Sequence, residues 1–340
     1  MNKKILIIKL AAIGDVLRTT FILKGLKEKY PESSITWVTK KEASDILKNN
    51  QYINKIIFIN QALKELNKAK FDLIISLDDE DEACELATKI NKEKLIGAYY
   101  ENGKKTYTED SSEWFDMGLI SKYGKENADE LKKLNKKTYQ EIISNMLGIK
   151  PSEIILNLDK EELGFAERFA KKYNLKENDL IIGINTGAGK RWQCKKLSIE
   201  KTAELADKLS KELNAKVILF GGPEEIERNQ KIKERTKTTV IDAGCYNTLR
   251  QFAALVNLCA VLVASDSLAM HIGIALKKNV IAFFGPTPAA EIELYGRGKK
   301  IIAPIDCVCC YKKTCDKKPN CMDKINVGEL LANIKYLLKS

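Results

Sequence analysis

The sequence predicts an α/β protein made of two Rossmann-like, doubly wound domains facing a cleft. Three observations predict it. Short continuous apolar runs recur, the pattern of strands buried on both faces of a parallel sheet. Lys/Glu-rich stretches of helical spacing alternate with them. The 340 residues exceed what one core of about 250 residues serves.

Residues 4–10, KILIIKL, are the first such run. After the turn at Gly14-Asp15, residues 16–30 carry apolar side chains at helical spacing and stop before Pro31. Strands follow at 35–39, 55–60, 71–77 and 95–99. Residues 101–135 are polar and patternless, and are expected to be a mobile excursion. Residues 138–147 read as a helix that ends near Gly148 and Pro151. A second strand series is expected at 180–185, 216–220, 239–242, 261–264 and 280–284, before a last helix at 327–338. The division expected from this pattern is an amino-terminal domain at 1–157, a carboxyl-terminal domain at 158–325, and a terminal helix, 326–340, packing back toward the first domain.

Composition removes several function classes. No stretch approaches the roughly 18 uninterrupted apolar residues of a membrane span, and no cleavable hydrophobic leader follows the first residues; the expected address is the cytoplasm. The formal charge is +11, from 57 Lys and Arg against 46 Asp and Glu, and only seven of the basic residues are Arg. Nucleic-acid readers spend Arg on bases and phosphates, whereas here Lys is spread over both halves. Nucleic acid is therefore not an expected partner. An anionic membrane face or a phosphorylated substrate suits the excess.

Ligands of open α/β sheets bind at the carboxyl ends of strands, where loops and helix N-termini direct N–H groups outward. Four loops stand out there. Gly14, Asp15 and Arg18 follow the first strand; Gly14 permits a tight turn, and Asp15 suits either a helix cap or a base. Thr186, Gly187, Gly189, Lys190 and Arg191 follow the first strand of the second domain as a candidate diphosphate cradle, although the P-loop spacing is absent. Gly221 and Glu225 form a turn where a carboxylate can accept from ribose hydroxyls or simply open a helix. Asp266, Ser267 and Leu268 open a helix containing His271, the chain's only histidine, which excludes any mechanism or metal site that needs two. The acidic run 78–82 contains Asp79 and Asp81; a carboxylate-rich helix start explains it, with an acceptor-facing role for Asp79 second.

Nine cysteines are present, five of them within residues 307–321. In a reducing compartment they read as thiols or metal ligands rather than disulfides. The spacing fits no standard zinc or iron–sulfur pattern. A local structural cluster is expected, with a structural metal on Cys307, Cys310, Cys315 and Cys321 as one form of it.

Taken in order, KILIIK with Gly14-Asp15-Val16-Leu17, then Gly187-Ala188-Gly189-Lys190-Arg191-Trp192, Gly221-Gly222-Pro223, Ser265-Asp266-Ser267 with Met270-His271, and Phe284-Gly285-Pro286-Thr287 resemble the lipopolysaccharide heptosyltransferases, glycosyltransferase family 9. The resemblance implies the two-domain GT-B fold. It also implies an inverting, metal-independent transfer, with no cofactor, of a heptose or related sugar from ADP-heptose or a related nucleotide sugar to a lipid-linked saccharide. Asp15 would then be the base that takes the acceptor proton, and Lys190 the cation that meets the leaving diphosphate beside Ser267 and Leu268. Asp266, Ser267 and His271 would form the donor turn, Glu225 a ribose contact, and Gly14, Arg18 and Asp79 the acceptor side. Peripheral contact with the anionic inner face of the membrane is the expected setting. Leu268 stands where the family usually has Gly. Two other classes share parts of the pattern: a nicotinamide oxidoreductase, which should show the full glycine fingerprint, and a non-catalytic module built on the cysteines.

Overall fold

A computed structural model describes residues 3–189 and 192–339. The chain forms two compact units, Met1–Asn157 with Ala290–Glu293, and Leu158–Ala289 with Leu294–Ser340. Each unit is an α/β layer structure around one six-stranded sheet.

In the first unit the strands are β1 (Lys4–Ile8), β2 (Ser34–Thr39), β3 (Lys55–Phe58), β4 (Lys70–Ser76), β5 (Asn91–Glu101) and β6 (Lys104–Tyr107), in the order β3-β2-β1-β4-β5-β6. All ladders are parallel except β5 with β6. Ile5, Leu6, Ile7 and Ile8 are fully buried, as a central strand covered on both faces requires. The strand order reverses at β1, which pairs with both β2 and β4. The loops after β1 and β4 therefore flank the switch point, where such sheets leave a crevice.

The second unit repeats the plan with β7 (Ile181–Asn185), β8 (Lys216–Phe220), β9 (Val240–Asp242), β10 (Val261–Ser265), β11 (Asn279–Phe284) and β12 (Gly298–Ile302), ordered β12-β11-β10-β7-β8-β9 and parallel throughout. Here β7 and β10 flank the switch point, so the loops at 186–189 and 266–267 lie beside each other.

Two expectations need correction, and one strand is an addition. The helix expected at 16–30 is two helices, Ile13–Thr19 and Ile22–Lys29. At the break the Ser152 hydroxyl donates to the Phe21 carbonyl, and Thr20 Oγ1 accepts from the Ile155 N–H at 2.8 Å, so a later segment claims the backbone there. The stretch 101–135 is ordered: it holds β6, the helix Lys125–Leu134, and Tyr107 stacked on Phe115 at 5.5 Å, both rings buried. Its buried apolar residues, Tyr107, Phe115, Met117 and Ala128, are spaced without period, which hides them from pattern reading. Edge strand β12, buried at Ile301 only, was not among the expected strands. The last helix, Val327–Leu337, clusters with the second unit. Its Leu330 and Ile334 join the same core as Leu205 and Leu209 of the helix Ile199–Leu213.

One ion pair locks the first sheet's carboxyl edge. Lys9, just past β1, donates to Asp78, just past β4, and its Nζ also lies 3.3 Å from the Leu77 carbonyl. The second Asp78 oxygen accepts the Leu10 N–H. Both residues are buried. Burial alone would strip the proton from Lys9, but the Asp78 carboxylate outweighs it and holds the ammonium well above the ordinary lysine range.

Removing one partner of such a pair strands the other charge in low dielectric. Asp78→Ala should lose about 3–5 kcal/mol of unfolding free energy, whereas Asp81→Ala, at an exposed carboxylate, should stay within about 0.5 kcal/mol. Urea titration followed by circular dichroism measures both. Equal effects would show that the pair does not hold the edge.

Candidate functional site

The first unit's group is built on the short helix Ile13–Thr19. Its N-cap is Ala12, without a side-chain capping bond, and Asp15 is its third residue. Asp15 therefore stands in the first turn, where the helix dipole stabilises a carboxylate, but it does not occupy the cap position. The helix also carries Arg18, whose Nε lies 2.9 Å from Asp15 Oδ1. Asp15 stays accessible at 36% of its side-chain surface, while Arg18 keeps only 11%. Gly14 is buried beneath them.

Asp79 lies after β4 and its carbonyl accepts from Lys105 at 2.9 Å. Its partner in the acidic run, Asp81, pairs with the same Lys105 at 2.7 Å and accepts from the Tyr100 hydroxyl at 2.7 Å. That hydrogen bond and ion pair hold the Asp81 carboxyl below the usual range. Past the buried Asp78, the acidic run thus forms surface ion pairs, with Glu80 tied to Lys40 at 2.5 Å.

The second unit brings three predicted loops together. Asn185, at the end of β7, donates through Nδ2 to the Gly187 carbonyl at 2.7 Å and lies 3.4 Å from Ser267 Oγ after β10. Gly187 and Gly221 are required by close approach. A Cβ on Gly187 would sit 2.7 Å from Glu225 Oε2, and one on Gly221 would sit 2.6 Å from Glu225 Cβ. Glu225 is the side chain on which both loops close.

The carboxylate of Glu225 does not face outward as a ribose contact should. It accepts the Gly222 N–H at 3.0 Å and pairs with Lys196 at 2.5 Å, with 3% of the side chain exposed. Thr186 likewise turns inward; its hydroxyl lies 2.9 Å from the Phe220 carbonyl and 2.6 Å from Asn229 Oδ1. Both expected donor contacts are consumed in joining the loops.

After β10, Ser267 is the N-cap of the helix Leu268–Ala275 and makes no side-chain capping bond. Its hydroxyl donates to the Ser265 carbonyl at 3.1 Å. The amides of the first helical turn, starting at Leu268, are thus left for an anion. Asp266 beside them pairs with Lys195 at 2.8 Å. Burial would raise the Asp266 carboxyl, but the Lys195 ammonium and the nearby, buried His271 outweigh it and hold it below the ordinary value.

Lys190 and Arg191 lie outside the described residues. Gly189, before them, has φ +72° and is exposed. The two cations that the structure does place in the loop cluster, Lys195 and Lys196, were missed in the sequence. The available signal was an adjacent lysine pair two residues before the Ser198 N-cap of an amphipathic helix.

The cysteines regroup. Cys194, remote in sequence, donates from Sγ to the Lys312 carbonyl at 3.1 Å, and the charges of Cys310 and Cys315 act on it. Cys321 is buried within range of the same three and is pushed up to about 11, chiefly by burial. Cys307 faces Lys317 instead. All nine are free thiols, and among the described residues no three His, Cys, Asp or Glu side chains converge as a metal site. No helix of the described residues is long and apolar enough to cross a membrane.

A family model described as glycosyltransferase family 9 (heptosyltransferase) matches residues 59–320. The chain is 22% identical over 294 residues to the lipopolysaccharide core heptosyltransferase OpsX of Haemophilus influenzae, covering 83% of this chain and 79% of that protein. The crystal structure of a family 9 glycosyl transferase from Veillonella parvula superposes with a TM-score of 0.76 at 23% identity, over 99% of this chain and 98% of that one. E. coli heptosyltransferase WaaC with ADP superposes with a TM-score of 0.62 at 16% identity, over 99% and 98%.

The Lys195–Asp266 pair has a pH signature. A carboxyl held below its unfolded value adds stability that is fully present above the unfolded pKa of about 3.9 and is lost as pH falls through the folded value. Asp266→Asn should therefore flatten the fall of the urea midpoint below about pH 4. A parallel acid limb in the variant and the parent would show that the pair is not coupled to folding.

Proposed function

The chain belongs to glycosyltransferase family 9 (heptosyltransferase), and from that premise we propose that it moves a heptose or related sugar from an ADP-heptose-like donor to a lipid-linked saccharide of the lipopolysaccharide core. The fold is of the GT-B kind, and the protein is a glycosyltransferase. Membership sets aside the oxidoreductase reading and the non-catalytic cysteine module.

The observation that carries the donor assignment is the closure of three βα loops of one unit beside the uncapped helix N-terminus at Leu268, with Lys195 and His271 around Asp266. A nucleoside diphosphate presents the charge that such amides take up, on loops that the Lys195–Asp266 pair ties in place. Bound ADP in the E. coli relative is consistent with an adenine nucleotide. In the reaction Asp15 takes the proton of the acceptor hydroxyl while that oxygen attacks the anomeric carbon from the face opposite the diphosphate, inverting the centre. Lys190 and the amides around Ser267 and Leu268 meet the charge developing on the leaving diphosphate.

We infer that the transfer needs no metal: an Asp-x-Asp pair such as Asp79 and Asp81 could hold a divalent ion in a metal-dependent transferase, but Asp81 is engaged by Lys105 and Tyr100, which supports that reading. The acceptor is held on the first unit near Gly14 and Asp79, and the basic surface suits passing contact with an anionic membrane face.

ADP or ADP-heptose should raise the melting temperature more than GDP or UDP do, and chelation by EDTA should leave ADP-heptose turnover unchanged. Asp15→Ala should lose about 10²- to 10⁴-fold in turnover, as loss of a general base does, while keeping the ADP-induced shift in melting. No shift with any of the nucleotides or their sugars would remove the donor assignment. Retained turnover in Asp15→Ala would remove only the base.

A further inference from the structure

We propose that Arg18 is a positioning residue for Asp15, fixing its carboxylate in place and holding it ionised, instead of binding the acceptor; this rests on reading Asp15 as the base. The placement of Arg18 supports it. An arginine that meets a substrate points its fork outward, but this one is 11% exposed and engaged on several sides. Its Nε is 2.9 Å from Asp15 Oδ1, three residues earlier on the helix. Its guanidinium lies 4.2 Å from the centre of the Tyr139 ring and 5.8 Å from that of Trp114. Beyond it, Glu291 Oε2 is 3.7 Å from Nη1.

The cage around Arg18 is itself fixed. Tyr139 is 1% exposed, its hydroxyl is 2.8 Å from Thr19 Oγ1, and its ring meets Trp114 at 4.9 Å edge-on. Glu291, buried at 8%, comes from the four-residue segment Ala290–Glu293, which leaves the second unit's sequence to join the first. The Glu291 carbonyl accepts the Tyr139 N–H at 3.0 Å. One segment thus anchors both the ring under Arg18 and the carboxylate behind it. A planar fork stacked this way cannot follow Asp15 through other rotamers, so Asp15 is held to the one that meets Nε.

The charges acting with Asp15 are Arg18, Lys9, Asp78 and Tyr139, with Glu291 behind Arg18. Removing the Arg18 charge leaves the carboxylate with less compensation, so its titration must move upward. Selective ¹³C-aspartate labelling, with Asp15→Asn assigning the signal, reads this without substrate. In Arg18→Gln the Asp15 titration should rise by about one pH unit; a rise under about 0.2 in a folded variant overturns the inference. Arg18→Lys keeps the charge and loses the fork and stack. There, release of ADP from ADP-heptose with water as acceptor should fall about tenfold in kcat with KM within about twofold, the pattern of a lost transition-state interaction. Full kcat in Arg18→Lys would overturn the inference even if Arg18→Gln did not fold. Turnover retained by Asp15→Asn would show separately that Asp15 is not the base, and would remove Arg18's role with it.

Discussion

A carboxylate buried at the carboxyl edge of a parallel sheet needs a cation, and that requirement organises both units. The edge is where strands stop and loops must approach one another, so the side chains that join loops are shielded from water there. An unpaired charge in that position is strongly destabilising, so each such acid is met by a lysine: Asp78 by Lys9, Asp266 by Lys195, Glu225 by Lys196. In every case the two partners come from different βα loops. The pairs therefore act as ties between loops, and the backbone groups that a ligand needs are positioned by them.

The consequence is a division between acids that hold loops and the acid left accessible. Glu225 and Asp266 both follow strands of the second sheet and both read as ligand contacts in the sequence, yet their carboxylates are spent on lysines. Asp15 differs because its cation, Arg18, approaches from the same helix and leaves 36% of the side chain exposed. A base must reach a proton outside the protein, whereas a tie gains from being sealed. Exposure, not residue type, separates the two roles.

The sequence made ten of the twelve described strands legible, all but β6 and β12 at the sheet edges, because buried parallel strands are continuous apolar runs, and continuity survives without any knowledge of neighbours. It also marked the loops at the right edges, since Gly14, Gly187 and Gly221 interrupt those runs at strand ends. What it could not reveal was orientation. Thr186 and Glu225 have the chemistry of donor contacts, but whether a hydroxyl faces Asn229 or a ligand depends on a helix more than 40 residues away. Lys195 and Lys196 were hidden for the opposite reason: in a chain with so many surface lysines, their place just before the Ser198 N-cap is a weak signal of which ones are paired inside. Trp114, Tyr139 and Glu291 around Arg18 come from three distant segments that share no motif.

The charge of the chain can now be partitioned by burial. A net +11 spread over exposed lysines contributes little at any single position, since solvent and salt screen each one. Lys9 and Lys195 are 6% and 5% exposed and act at close range in a medium that screens weakly. Those two, with Lys196, neutralise acids already within the protein and add no net attraction for an anion. In the proposed donor site, attraction for a diphosphate then rests on what those pairs leave over: the amides at the start of the Leu268–Ala275 helix and the charges of Lys190 and Arg191.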